Sequence, residues 1–287
     1  MGASFLITLR EGLEAALVIS IILAYLNRVN RRDRHSAVWA GAGVAVAVSL
    51  AAGAIIVAVA GGLSHTTAEI FEGVASYLAV GVLTWMIFWM RRNAARIKGE
   101  LQGKVDLALA SGSTFGLAAL AFFVVVREGL ETVLFLFSAF RAGSETPGIL
   151  KFGAAVLGLA VAAILGYLIY RGGTRINLRL FFRITGVLIL VVAASLLFYG
   201  THELLEVGAF RFLEGTGLLA GAPGASAIMS PITRIVVGLG GAPTWLEFGL
   251  WLGYLVVTGA LFFRPVRQPA HTVSPQPGPT AERVRQT

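Results

Sequence analysis

The sequence predicts an all-α membrane protein of seven transmembrane helices, arranged as two inverted three-helix repeats with a seventh helix outside them. Three observations carry that prediction. The 287 residues are 56% hydrophobic and only 13% charged, with a mean hydropathy of +0.80, whereas an ordinary soluble domain has about 25% charged residues. Seven apolar runs are long enough to cross about 30 Å of hydrocarbon. A charged hexapeptide occurs twice, once inside the first run and once inside the fourth.

The runs cover about 4–26, 37–60, 69–90, 114–140, 149–170, 180–201 and 244–263. The first is no cleavable signal, because it lacks a basic leading segment and carries Arg10, Glu11 and Glu14 within its apolar stretch. The segment 207–243 is apolar enough to suggest another span. Pro223, Pro231 and Arg234 argue against one, so it is expected to be a long external loop with a short interfacial helix at Ile228–Leu239. From Pro265 onward five prolines among polar residues predict a disordered tail. The chain therefore divides into a transmembrane domain, 1–264, and a tail, 265–287; repeat one covers about 4–90 and repeat two about 114–206.

Orientation follows from the basic residues, which accumulate on the cytoplasmic side of a membrane. Arg28, Arg31, Arg32 and Arg34 share one side with Arg91, Arg92, Arg96, Lys98 and Lys104, with Arg171, Arg175, Arg179 and Arg183, and with Arg264, Arg267, Arg283 and Arg285. The other side has only Arg141, Lys151, Arg211 and Arg234. The N-terminus is thus expected outside and the C-terminus in the cytoplasm, in a multi-pass protein of the cell (inner or plasma) membrane. A net charge of +8 could suggest nucleic-acid binding, but these residues sit in loops between apolar spans rather than on one water-facing surface. With no cysteine, thiolate metal sites and cysteine nucleophiles are excluded, so any metal must be held by oxygen or imidazole.

Leu9-Arg10-Glu11-Gly12-Leu13-Glu14 recurs as Val126-Arg127-Glu128-Gly129-Leu130-Glu131, identical at five of six positions. A Gly/Ala-rich helix follows in both halves, and a third helix closes each. Because three is odd, the second copy crosses the bilayer in the opposite sense, which puts a pseudo-two-fold axis in the membrane plane and a site at the repeat interface. Residues three apart lie about 60° apart on a helix, so Glu11 and Glu14 share a face, with Arg10 one turn from Glu14. The second motif repeats that arrangement. An ionised group at the bilayer centre costs on the order of 3 kcal/mol, so six of them need a compensating role. Two Arg–Glu bridges locking the helices would account for one glutamate per arginine and leave the other over. Carboxylate oxygens suit hard cations such as Fe³⁺, Mg²⁺, Ca²⁺ or Mn²⁺.

This doubled Arg-Glu-x-x-Glu motif, written REGLE in both halves, resembles the oxidase-dependent iron permeases, also called iron/lead transporters, and most closely their bacterial EfeU-like members. Glu72-Gly73 at the start of the third helix, Trp85-Met86-x-x-Trp89-Met90 at its end, and His202-Glu203-x-x-Glu206 closing the sixth extend the resemblance over about residues 4–263. The resemblance implies a transporter rather than an enzyme, importing iron as Fe³⁺ with the motif glutamates as ligands. It also implies separate periplasmic iron-binding and iron-oxidising (haem-peroxidase) partner proteins. No prosthetic group and no nucleic acid is expected; the iron ion and the lipid bilayer are the other partners. The charges agree: each motif sums to −1, the pair to −2, and Glu72 would bring the set to −3, matching a trivalent ion. The expected ligands are therefore Glu11, Glu14, Glu128, Glu131 and Glu72, with Arg10 and Arg127 as counter-ions.

Glu69, His202, Glu203 and Glu206 are expected in an outer vestibule, where carboxylates would concentrate cations. His202-Glu203-Leu204-Leu205-Glu206 is one histidine short of a zincin helix. Trp39, Trp85, Trp89 and Trp245 read as interfacial anchors. Two alternatives stand beside iron import: the same site moving lead or another divalent ion, and a membrane di-metal oxidoreductase. The second would ordinarily need Glu-x-x-His pairs, and neither motif helix contains histidine.

Overall fold

A computed structural model describes residues 1–93, 97–110, 113–142, 146–171, 178–222, 224, 225, 232 and 243–264. Each of the seven apolar runs is one helix: α1 (Gly2–Arg28), α2 (His35–Gly61), α3 (His65–Asn93), then α5 (Thr114–Ala142), α6 (Gly148–Tyr170), α7 (Leu178–Glu206) and α8 (Trp245–Phe263). Between the halves lies α4 (Ile97–Ala110), a helix of 14 residues where the sequence predicts a loop. It is too short and too charged to register as an apolar run. Apart from Ile232, the expected helix at Ile228–Leu239 and the tail beyond Arg264 lie outside the described residues.

Among the described residues, five segments are long and apolar enough to cross a membrane: Arg32–Gly61, His65–Asn93, Gly148–Tyr170, Phe182–Glu206 and Trp245–Phe263. At 27 and 29 residues, α1 and α5 are long enough as well, but each has the charged motif within it. The outer faces of α2 and α6 are apolar and open, with Leu50 69% and Ile149 74% exposed.

Hydrogen bonds between helix ends show which ends lie together. At one end of the bundle, Tyr25 of α1 donates to Asp106 of α4 (2.6 Å), Asn27 donates to Tyr170 of α6 (3.0 Å), and Arg91 of α3 donates to the carbonyls of Leu261 and Arg264 at the end of α8. At the other, Lys151 of α6 donates to the Phe140 carbonyl (2.5 Å), Arg141 of α5 pairs with Glu72 of α3 (3.3 Å), and His202 of α7 meets Glu247 of α8 (2.8 Å). The first end is the arginine-rich one.

Pairing across the halves dominates the packing. The principal partner of α1 is α6, that of α2 is α5, and α3 packs against α7. In an apolar solvent no hydrophobic effect drives helices together, so close approach depends on small residues. Gly41 of α2 lies against the backbone of Ala118, and Gly158 of α6 against the backbone of Phe5 and Leu9; a Cβ on either glycine would overlap its neighbour. Ile7, Leu83, Met86, Phe135, Ile189 and Leu196 form a fully buried core between α1, α3, α5 and α7. That core borders the two motifs.

Candidate metal centre

The motif glycines explain how two charged stretches come to be enclosed. Gly129 faces Ser49 of α2 so closely that a side chain there would collide with it, while Gly12 faces Leu159 and Ala162 of α6. Each motif is thus clamped by a helix of the opposite half and its carboxylates turn toward the other motif.

One carboxylate oxygen each from Glu11, Glu128 and Glu131 lies within 4.8 Å of the others. Glu11 is buried and, among the described residues, neither of its oxygens has a hydrogen-bond partner; Oε2 of Glu128 and Oε2 of Glu131 are buried and unpartnered among them as well. An unpaired buried charge costs several kcal/mol, so four oxygens without donors, contributed by both halves, define a place that a cation would complete. The arginines neutralise the other groups. Arg10, only 2% exposed, donates through Nε to Glu14 (3.2 Å), and Arg127 donates to Glu131 (2.9 Å) while lying 3.8 Å from Glu128. The intrahelical bridges expected from the spacing are therefore present. They leave Glu11 and one oxygen each of Glu128 and Glu131 unclaimed.

A cavity of about 550 Å³ reaches Glu14, Arg127 and Glu128 from the arginine-rich end. Its walls include Ser20, Ala24, Tyr25, Arg28 and Trp89, with Glu100, Leu101, Gln102 and Lys104 of α4 across its mouth.

Glu72 is held elsewhere. It accepts from Tyr199 (2.5 Å) and pairs with Arg141 (3.3 Å), tying α3, α5 and α7 together on the side opposite the cavity. The count that brought the central set to −3 included this carboxylate; in the conformation described Arg141 neutralises it, and the two motifs alone sum to −2. Glu69, Glu203 and Glu206 bring one oxygen each within 4.8 Å of one another, with His65 on Glu69 (2.8 Å). His202 turns to Glu247 (2.8 Å) and Glu206 (3.5 Å). Glu247 also closes a capping box with Thr244 at the start of α8.

Four side chains take part in ways the sequence does not show. Arg141 and Tyr199 belong to no motif and reach Glu72 only through tertiary packing. Trp85 and Trp89, read as anchors, stack on each other (centroids 6.2 Å apart), and the Arg127 guanidinium lies over both rings at 6.0 and 5.4 Å. Their i, i+4 spacing was visible; the guanidinium they meet was not.

Residues 1–260 match the model of the iron permease FTR1 family. The chain belongs to that family. It is 37% identical over 270 residues to the ferrous iron permease EfeU of Escherichia coli O157:H7, covering 93% of this chain and 97% of the relative. Against the protein of the same name from Yersinia pestis it is 38% identical over 273 residues, 94% and 96% of the two chains. No solved structure matches it. Family membership and the long apolar helices make it a membrane-embedded iron permease, a transporter by kinship with proteins named as such.

Proposed function

We propose that this iron permease imports iron across the cell (inner or plasma) membrane, and that the ion passes between the two REGLE motifs, held by Glu11, Glu128 and Glu131 with Glu14 beside them. The supporting observation is the convergence of unpartnered, buried carboxylate oxygens from both halves. When the site is empty, Arg10 and Arg127 hold Glu14 and Glu131. A cation supplies the charge that the remaining oxygens lack.

In this reading the chain crosses the bilayer seven times with its N-terminus outside and its C-terminus in the cytoplasm, and α1–α3 and α5–α7 are inverted copies. Exchanging the halves converts the α1–α6 packing into the α5–α2 packing and leaves α3–α7 unchanged, which supports the two-fold relation. The arginine-rich end is then cytoplasmic, and the cavity is the cytoplasmic half of an alternating-access path. On the external side, the buried core and the Glu72–Arg141–Tyr199 network close the path, with Glu69, His202, Glu203 and Glu206 forming the vestibule beyond. The protein works without a prosthetic group. A separate iron-binding protein outside the membrane would serve as a partner.

The net −2 of the two motifs, with Glu72 neutralised, favours Fe²⁺ over Fe³⁺ as the ion carried, and makes an oxidising partner dispensable for uptake in vitro. Carboxylates discriminate poorly among cations, so lead is the natural competitor. Purified protein in liposomes tests these points: uptake of radioactive Fe²⁺ should exceed that of Fe³⁺ and Pb²⁺, and Glu11→Gln or Glu128→Gln should each lower it by about tenfold or more, the equivalent of about 1.4 kcal/mol of lost binding. Uptake indifferent to both substitutions would overturn the site.

A further inference from the structure

The two motifs are identical in sequence from arginine to glutamate, yet their arginines differ in setting. Arg10 is sealed, with 2% of its side chain exposed, whereas Arg127 is 39% exposed and borders the cavity. Arg127 uses two surfaces at once. Its Nε donates to Glu131, and its guanidinium carbon lies over the stacked rings of Trp89 and Trp85.

The other half contains a matching pair. In α7, the helix of the second half that packs on α3, Phe198 and His202 have the same i, i+4 spacing as Trp85 and Trp89. Phe198 and His202 are stacked with centroids 6.0 Å apart and an interplanar angle of 28°, against 6.2 Å and 29° for the tryptophans. The α3–α5 contact that brings Trp89 to Arg127 has its counterpart in an α1–α7 contact. In the conformation described, however, His202 is drawn to Glu247 of α8, which lies outside the repeat.

We propose that Trp85 and Trp89 are positioning residues for Arg127, and that Phe198 and His202 play the same part for Arg10 when the opposite side opens. A guanidinium facing an open cavity is attracted to an aromatic face by the ring quadrupole. When the ion takes the oxygens of Glu128 and Glu131, Arg127 loses its edge partners but keeps the ring contact, and so leaves the metal without losing all stabilisation. The tryptophan pair therefore favours the cytoplasm-open conformation and the Phe198–His202 pair the outside-open one. This rests on the alternating-access reading above.

The chain has no cysteine of its own, so a single Ala24→Cys substitution on the cavity wall reports opening to a membrane-impermeant maleimide applied to the cytoplasmic face of inside-out vesicles. In that background Trp89→Leu should slow labelling by about threefold to tenfold, the range of a partly desolvated cation–ring contact. Trp89→Phe, which keeps a ring, should restore most of the rate, and Phe198→Leu should not slow it. Trp85 is 55% exposed and tolerates change, so Trp85→Leu provides a second variant with a smaller slowing in the same direction. Labelling unaffected by Trp89→Leu and Trp85→Leu, slowed equally by Phe198→Leu, or no better with Trp89→Phe than with Trp89→Leu would overturn the proposal. No labelling even with both aromatic pairs intact would instead remove the cytoplasmic cavity, and with it the reading beneath.

Discussion

Arg10 and Glu14 are both buried and bonded to each other, while Glu11 beside them is buried and bonded to nothing. That difference separates a structural bridge from a ligand, and it can be measured. Arg10→Gln strips the partner from the buried Glu14 carboxylate and should destabilise the detergent-solubilised protein by about 3–5 kcal/mol. Adding Glu14→Gln should recover much of that stability without recovering transport. Glu11→Gln removes an unpaired buried charge, so its melting temperature should stay level or rise while iron uptake collapses. Arg127 is less enclosed, and Arg127→Gln should cost less than Arg10→Gln in the same melting assay. A design in which both arginines merely stapled helices would give equal losses and leave Glu11 without effect.

Among the helices, small residues set the geometry that brings the motifs together. Gly41 and Gly158 each admit the backbone of a motif helix from the opposite half. Gly41→Val or Gly158→Val should therefore cost about 1–3 kcal/mol by overpacking, visible as a lowered melting temperature. Substituting Gly43, which faces open space, should change little. These helices were legible because an apolar run of transmembrane length is the strongest signal a sequence carries. The doubled motif was legible because charge inside such a run is rare. The 14 residues of α4 had neither signal, and Arg141 and Tyr199 gave none because a residue's partner across the bundle is set by packing rather than by spacing. Glu72 shows the same limit: its position on α3 suggested a ligand, but Arg141 claims its carboxylate.

Over the whole molecule, transport as proposed requires the two halves to share one ion. α1 leans on α6 and α5 on α2, so neither motif is supported by its own half alone, and three of the four candidate ligand residues converge from both motifs. The opening at the arginine-rich end, where the cavity reaches Glu14 and Glu128, agrees with one state of a transporter whose other state closes this side. The most direct measurement is equilibrium binding of radioactive Fe²⁺ to the purified protein under anaerobic conditions, counted per chain. A shared site predicts one ion, lost on Glu11→Gln and lost equally on Glu128→Gln. Two ions per chain, with each substitution removing only one, would mean that each motif binds for itself and would contradict the account.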